Sequence, residues 1–195
     1  MPYKFKRCVF DNVDFTRADL TGAFFNKCIF KSCKFDDVQA EGSRFTRCVF
    51  NTVSFVRAWI KNGLFENGRY DDVDFTKSFA DGVIFDESYF KKGQFMDASL
   101  IGSSFKNCHL KNAVFTKSLA TGTDFTMANM TGARLAYGAF TSSKFWGTIL
   151  EYADLRRGDF RSARFNFVVG MERTIRNGAD FYNADINEKY MNTEY

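Results

Sequence analysis

The chain has 195 residues, with 27 basic and 23 acidic side chains and a net charge of +4. That length suits one domain or two small ones, and so mild and scattered a charge gives nucleic-acid binding little support. Twenty-five Phe against one Pro and two Trp mean that one side-chain shape is reused at equivalent positions.

The first segment, MPYKFKRCVFDN, is charged within seven residues and has no long apolar run, so it does not read as a secretory signal. No stretch approaches 18 consecutive apolar residues, which excludes a membrane-spanning helix. Five Cys without an export signal predict reduced thiols and a cytoplasmic setting.

From Phe5 to Phe165 every fifth residue is large or apolar: of 33 such positions, 21 are Phe and six are Leu. Ala40, Ala80, Ala120, Ile60, Tyr70 and Met130 fill the rest. Two residues before each centre, from Cys8 to Ala163, all 32 positions hold Ala, Ser, Val, Cys, Gly or Thr. The unit is therefore small–x–large–x–x. Residues two apart point the same way in an extended segment, so the small and large residues face inward together. The remaining residues must turn the chain before the next pair does the same, and a path that turns every five residues stacks on itself.

A longer period counts the sides. Gly22, Gly42, Gly82, Gly102 and Gly122 recur at 20 residues, and the column Phe5, Phe25, Phe45, Phe65, Phe85, Phe105, Phe125, Phe145, Phe165 is Phe throughout and forms the predicted structural core. Four five-residue sides make a coil of square section. About eight to nine coils, each rising ~4.8 Å, form an all-β parallel solenoid. The units ADLTG (Ala18 to Gly22), ANMTG (Ala128 to Gly132) and ADLRR (Ala153 to Arg157) resemble the pentapeptide repeat family. The resemblance implies that family's right-handed quadrilateral parallel β-helix and says little about activity, because a fold is not a function.

After Phe165 the phase slips by one residue and resumes at Phe181 and Ile186, with Ala179 and Ala184 in the small slots. This predicts an uninterrupted β-helix over 1–165. Residues 166–195 then hold a bulge near 166–171, a phase-shifted last coil and an irregular or helical C-terminal tail of the same domain. Open ends of a β-helix expose backbone and core rings and need a cover; a partner or second copy at one end, as in a homodimer, would serve.

Chemistry is hard to place. His109 is the only histidine and faces outward; Cys8, Cys28, Cys33, Cys48 and Cys108 all occupy small inward slots, without CxxC spacing. Asp71, Asp72 and Asp74 of YDDVDF lie on a convex corner, which lacks the pocket needed to separate carboxylate pKa values. No phosphate-binding loop is present. The expectation is a protein with no catalytic residues, no metal and no cofactor.

Two outward features remain. Lys4, Lys6, Arg7, Lys27, Arg44 and Arg47 form a basic patch beside the all-Phe column. Trp59, Phe79 and Leu119 share another outward column with Ile101 beside it, a candidate partner or self-association surface. The primary reading is a rigid, non-enzymatic protein-interaction or structural module. The alternative follows from the resemblance: some pentapeptide repeat proteins bind DNA gyrase by imitating duplex DNA and give quinolone-type resistance. A net charge of +4 and the absence of loops before residue 165 count against it.

Overall fold

The structure is a computed structural model that describes residues 2–186. Among these, the extended halves of the repeat form β1 (Lys4–Lys6), β2 (Val9–Asp11), β3 (Phe24–Asn26), β4 (Ile29–Lys31), β5 (Arg44–Thr46), β6 (Val49–Ser54), β7 (Arg69–Asp74) and β8 (Tyr89–Lys91). One parallel sheet runs β1-β3-β5 and a second runs β2-β4-β6-β7-β8. Partners are 20 residues apart, as in Phe5↔Phe25 and Phe10↔Phe30. The other two sides join by single parallel bridges at the same spacing, from Asp14↔Lys34 and Asp19↔Gln39 onward. The chain is a four-sided parallel β-helix.

Regular strands occupy only about 4 turns of the eight to nine expected coils; beyond Lys91 the coiling continues with one bridged residue per side, up to Arg164↔Asp185. The difference lies at the corners. In the first coil two of the four corners are closed turns, in which Ala18 N–H donates to the Phe15 carbonyl and Ala23 N–H to the Leu20 carbonyl, both at 2.9 Å. The coil beginning at Phe105 instead closes all four corners with tight turns, whose N–H groups of Cys108, Ala113, Ser118 and Thr123 donate to Phe105, Leu110, Phe115 and Ala120. A closed turn leaves one residue per side free to pair.

Each corner also requires a left-handed residue. Arg7, Asn12 and Arg17 have φ of 56, 54 and 60°, a conformation that costs an L-residue ~1–2 kcal/mol. The compensation is a backbone bond to the next coil, such as Arg17 N–H to the Asp36 carbonyl at 3.0 Å. At the fourth corner Gly22, φ 67°, avoids the cost.

The core is a set of ring stacks along the axis. Phe75, Phe95 and Phe115 lie nearly parallel with centroids 5.1 and 4.8 Å apart, while rings on adjacent sides meet edge to face, as Phe85 does Phe90 at 5.6 Å and 72°. Both geometries suit the aromatic quadrupole. On the side that carries Gly138 and Gly158, the size of the small residue is inverse to that of the side chain two residues later. A Cβ on Gly138 or Gly158 would lie 2.5 or 2.6 Å from Cε2 of Phe140 or Phe160, so these rings fold back over glycine. On the same side Val38, Ser78 and Ser118 precede the much smaller Ala40, Ala80 and Ala120.

Near the C-terminal end the bridge spacing becomes 21: Asp154↔Ile175, Asp159↔Asp180 and Arg164↔Asp185. The extra residue is absorbed where Gly170, φ 81°, enters a 3-10 turn over Met171–Arg173. Met171, not Gly170, supplies the buried apolar side chain there. The ring column then resumes, with Phe181 on Phe160 at 5.3 Å. The expected irregular or helical tail over 187–195 lies outside the described residues.

Candidate functional site

The interior offers no site. Its Phe, Leu, Ala and Cys side chains form one continuous buried cluster. Burial pushes the Cys48 and Cys108 thiols up to about 12, far from the thiolate state that nucleophiles and metal ligands need. Cys108 donates to the Phe85 carbonyl at 3.1 Å, so its thiol serves the backbone. Among the described residues no group of three His, Cys, Asp or Glu is placed to hold a metal.

The outward carboxylates also serve the fold. Asp14, Asp74, Asp124, Asp154 and Asp159 each accept the backbone N–H two residues on, at 2.8–3.1 Å. Asp36 and Asp86 instead reach the next coil, accepting from Val56 N–H at 3.1 Å and Lys106 N–H at 2.9 Å. In YDDVDF, Asp71 pairs with Lys91 at 3.2 Å, Asp72 lies 3.9 Å from Lys92, and Asp74 caps Thr76. These are corner and ladder contacts with no facing acid–base pair.

Asp124 is the most enclosed of them. Burial raises its pKa, but bonds from Thr126 and the charges of Lys144 and Lys106 outweigh this and hold the carboxyl below its ordinary value. Its folded-state pKa is therefore the lower one. Its stabilisation is complete above the unfolded value and is lost as pH falls through the folded one. Thermal melts of the native protein and Asp124→Asn should differ most near neutrality and converge as pH falls to about 2; a constant gap across that range would show that the charge contributes nothing.

His109 lies tilted against Tyr89, with ring centroids 5.7 Å apart, in a depression with Lys91, Lys92, Lys111 and Asn112. No Ser, Cys, Thr or carboxylate lines that depression, so it has no Ser–His–Asp type of geometry.

The apolar column is only partly continuous. Trp59 and Phe79 pack at 5.0 Å, and Lys61 Nζ lies 4.8 Å over the indole. Trp59 is thereby half-buried while Phe79 is exposed. The column then meets Ser99, bridged to both Phe79 and Leu119, whose hydroxyl bonds to Asp81. Leu119 is exposed but separated from the aromatic pair by that polar rung, and exposed Ile101 flanks it. Sequence spacing puts the four on one side; the structure joins two of them in direct contact.

The six cations of the basic patch are all exposed, and among the described residues none appears in an ion pair. A further outward cluster escaped the sequence reading. Trp146 meets Phe167 edge-on at 5.5 Å, Phe167 is 77% exposed, and the Met127 side chain lies over Gly147. Its signal was available: Trp, Phe and Met stand in outward slots that are otherwise polar.

A stacked coil of small–large pairs whose other slots face outward is the architecture of pentapeptide-repeat β-helices. The model of pentapeptide repeats (8 copies) matches residues 4–31, and that of the SV2A/B/C luminal domain matches 59–140. No curated protein matches the chain. Among solved structures, full-length QnrB1, a plasmid-mediated fluoroquinolone resistance protein, aligns with a TM-score of 0.74 and 18% identity over 92% of this chain and 94% of its own. A trypsin-treated variant of QnrB1 gives 0.75 and 19%, over 92% of each chain. HetL, a pentapeptide repeat protein involved in heterocyst differentiation regulation from the cyanobacterium Nostoc sp. strain PCC 7120, aligns at 0.34 and 17%, over 94% of this chain and 86% of its own. At these identities the likeness is one of fold. Among the described residues no helix is long and apolar enough to cross a membrane.

Proposed function

We propose that the protein is a rigid, non-enzymatic binding rod whose outer faces engage a protein partner. The observation that carries this reading is the closed interior. Inward side chains are consumed by packing and outward acids by capping, which leaves arrays such as Trp59–Phe79 as the free chemistry. In-cell photo-crosslinking from position 79 tests it. A discrete protein adduct is expected, and it should disappear in Trp59→Asp while the melting temperature is kept. Absence of any adduct from positions 79, 101 and 119 counts against the reading. A second reading, binding to a type II topoisomerase such as gyrase, is favoured by the QnrB1 likeness over 92% of this chain. Against it stand the net charge of +4 and acids tied into corner bonds. Supercoiling that is neither inhibited nor protected from a quinolone at micromolar protein would remove it.

A further inference from the structure

We infer that the corner of the first three coils docks an acidic amphipathic helix of a protein partner; this rests on the binding-rod reading. Arg7, Lys27 and Arg47 occupy the same corner of successive coils with φ of 56, 56 and 55°. Identical backbone conformations send their side chains out in parallel, one cation per coil. Two residues further on, Val9, Ile29 and Val49 are bridged in register and form an aliphatic stripe beside the cationic one; Val9 is fully outside the core.

Lys4, Lys6 and Arg44 extend the positive field across the adjoining face. On the far flank Asp11 accepts from Asn12 at 2.9 Å and bounds it. One coil higher the pattern ends: Asn67 takes the corner, and Arg69 takes the stripe and turns to Asp71 at 4.0 Å. The paired stripes are thus three coils long.

Coil spacing matches a helix. Three coils place their cations at steps of ~4.8 Å, and a helix presents one residue of a stripe per ~5.4 Å turn. Carboxylates at i, i+4 and i+7 therefore meet Arg7, Lys27 and Arg47 in order, and apolar residues on the next helical stripe cover Val9, Ile29 and Val49. Duplex DNA meets the charges but has nothing for the aliphatic stripe. An anionic membrane is a flat field with no preference for three aligned coils. Charge complementarity together with an adjacent apolar ladder favours the helix.

The test uses the whole protein and, as probe, a designed helical peptide of about 20 residues with Glu at i, i+4 and i+7 beside a Leu stripe. A peptide of the same composition with the stripes scrambled is the control. Fluorescence anisotropy at low salt should show the patterned peptide binding at least about tenfold tighter than the scrambled one. Lys27→Glu should remove that preference, and Lys92→Glu, outside the patch, should keep it; both variants are on the surface, and circular dichroism confirms their fold. Equal binding of the two peptides overturns the proposal, as does tighter binding to duplex DNA or phosphatidylserine vesicles. A crosslinked partner at position 79 alongside a failed peptide experiment would sink this inference and leave the binding-rod reading standing.

Discussion

Phe95→Ala is expected to destabilise the protein by about 3–5 kcal/mol. The ring is fully buried, lies parallel between Phe75 and Phe115, and meets Phe85, Phe90 and Phe105 edge to face. Removing it takes away both the transfer free energy of the ring and the contacts of all five neighbours. Coil backbones tied by hydrogen bonds on every side cannot collapse into the gap, so the cavity term is kept nearly whole. Urea unfolding followed by circular dichroism measures it as a fall in midpoint. Because contacts run only between adjacent coils, the loss can also split the transition, visible as a lower m value. A cost below about 1 kcal/mol would mean that the stack is not the source of stability.

The second large effect is expected at Gly68. It precedes Tyr70, the one tyrosine in its inward column. The phenol is buried and donates to the Phe65 carbonyl at 2.7 Å, a carbonyl that also accepts from Ser88 at 3.2 Å. To make that bond the ring leans over Gly68, whose own N–H donates to Ser88 Oγ at 3.0 Å. A Cβ at position 68 would lie 2.6 Å from Tyr70 Cε2 and 2.7 Å from its hydroxyl. Gly68→Ala should therefore cost about 1–3 kcal/mol through overpacking. Adding Tyr70→Phe frees the ring to sit as Phe50 does two residues after Cys48, and should recover at least about half of that cost. Strict additivity of the two substitutions, in a double-mutant cycle by chemical denaturation, would refute the coupling.

The inward half of the structure was legible because packing constrains it. A Phe at 5, 25, 45 and so on can be satisfied only by a coil of 20 residues, and the phase slip after Phe165 marks the change to a 21-residue spacing. Less was legible where neighbours decide. No local pattern says which corners of the early coils stay open while the coil beginning at Phe105 closes all four. Nor does one say that Met171 replaces Gly170 in the core. Outward residues are freer still. Trp59, Phe79 and Leu119 share a column in the sequence, yet Ser99 divides it, and the Trp146–Phe167 contact forms between residues 21 apart in a region where the phase was already in doubt. A surface slot is held by no packing rule, so its spacing reveals position without contact.

The constant 20-residue register has a consequence for how such a chain can change length. Duplicating one coil lengthens the rod by ~4.8 Å and returns every later side chain to the face it held before. Its columns of charge and apolar contact are then extended or moved apart without being scrambled. Insertions of other sizes must be absorbed locally, as the single extra residue at Gly170 is by a 3-10 turn. The molecule is thus a gauge graduated in whole coils, on which the distance between two binding faces can be reset by genetic duplication while each face is kept intact.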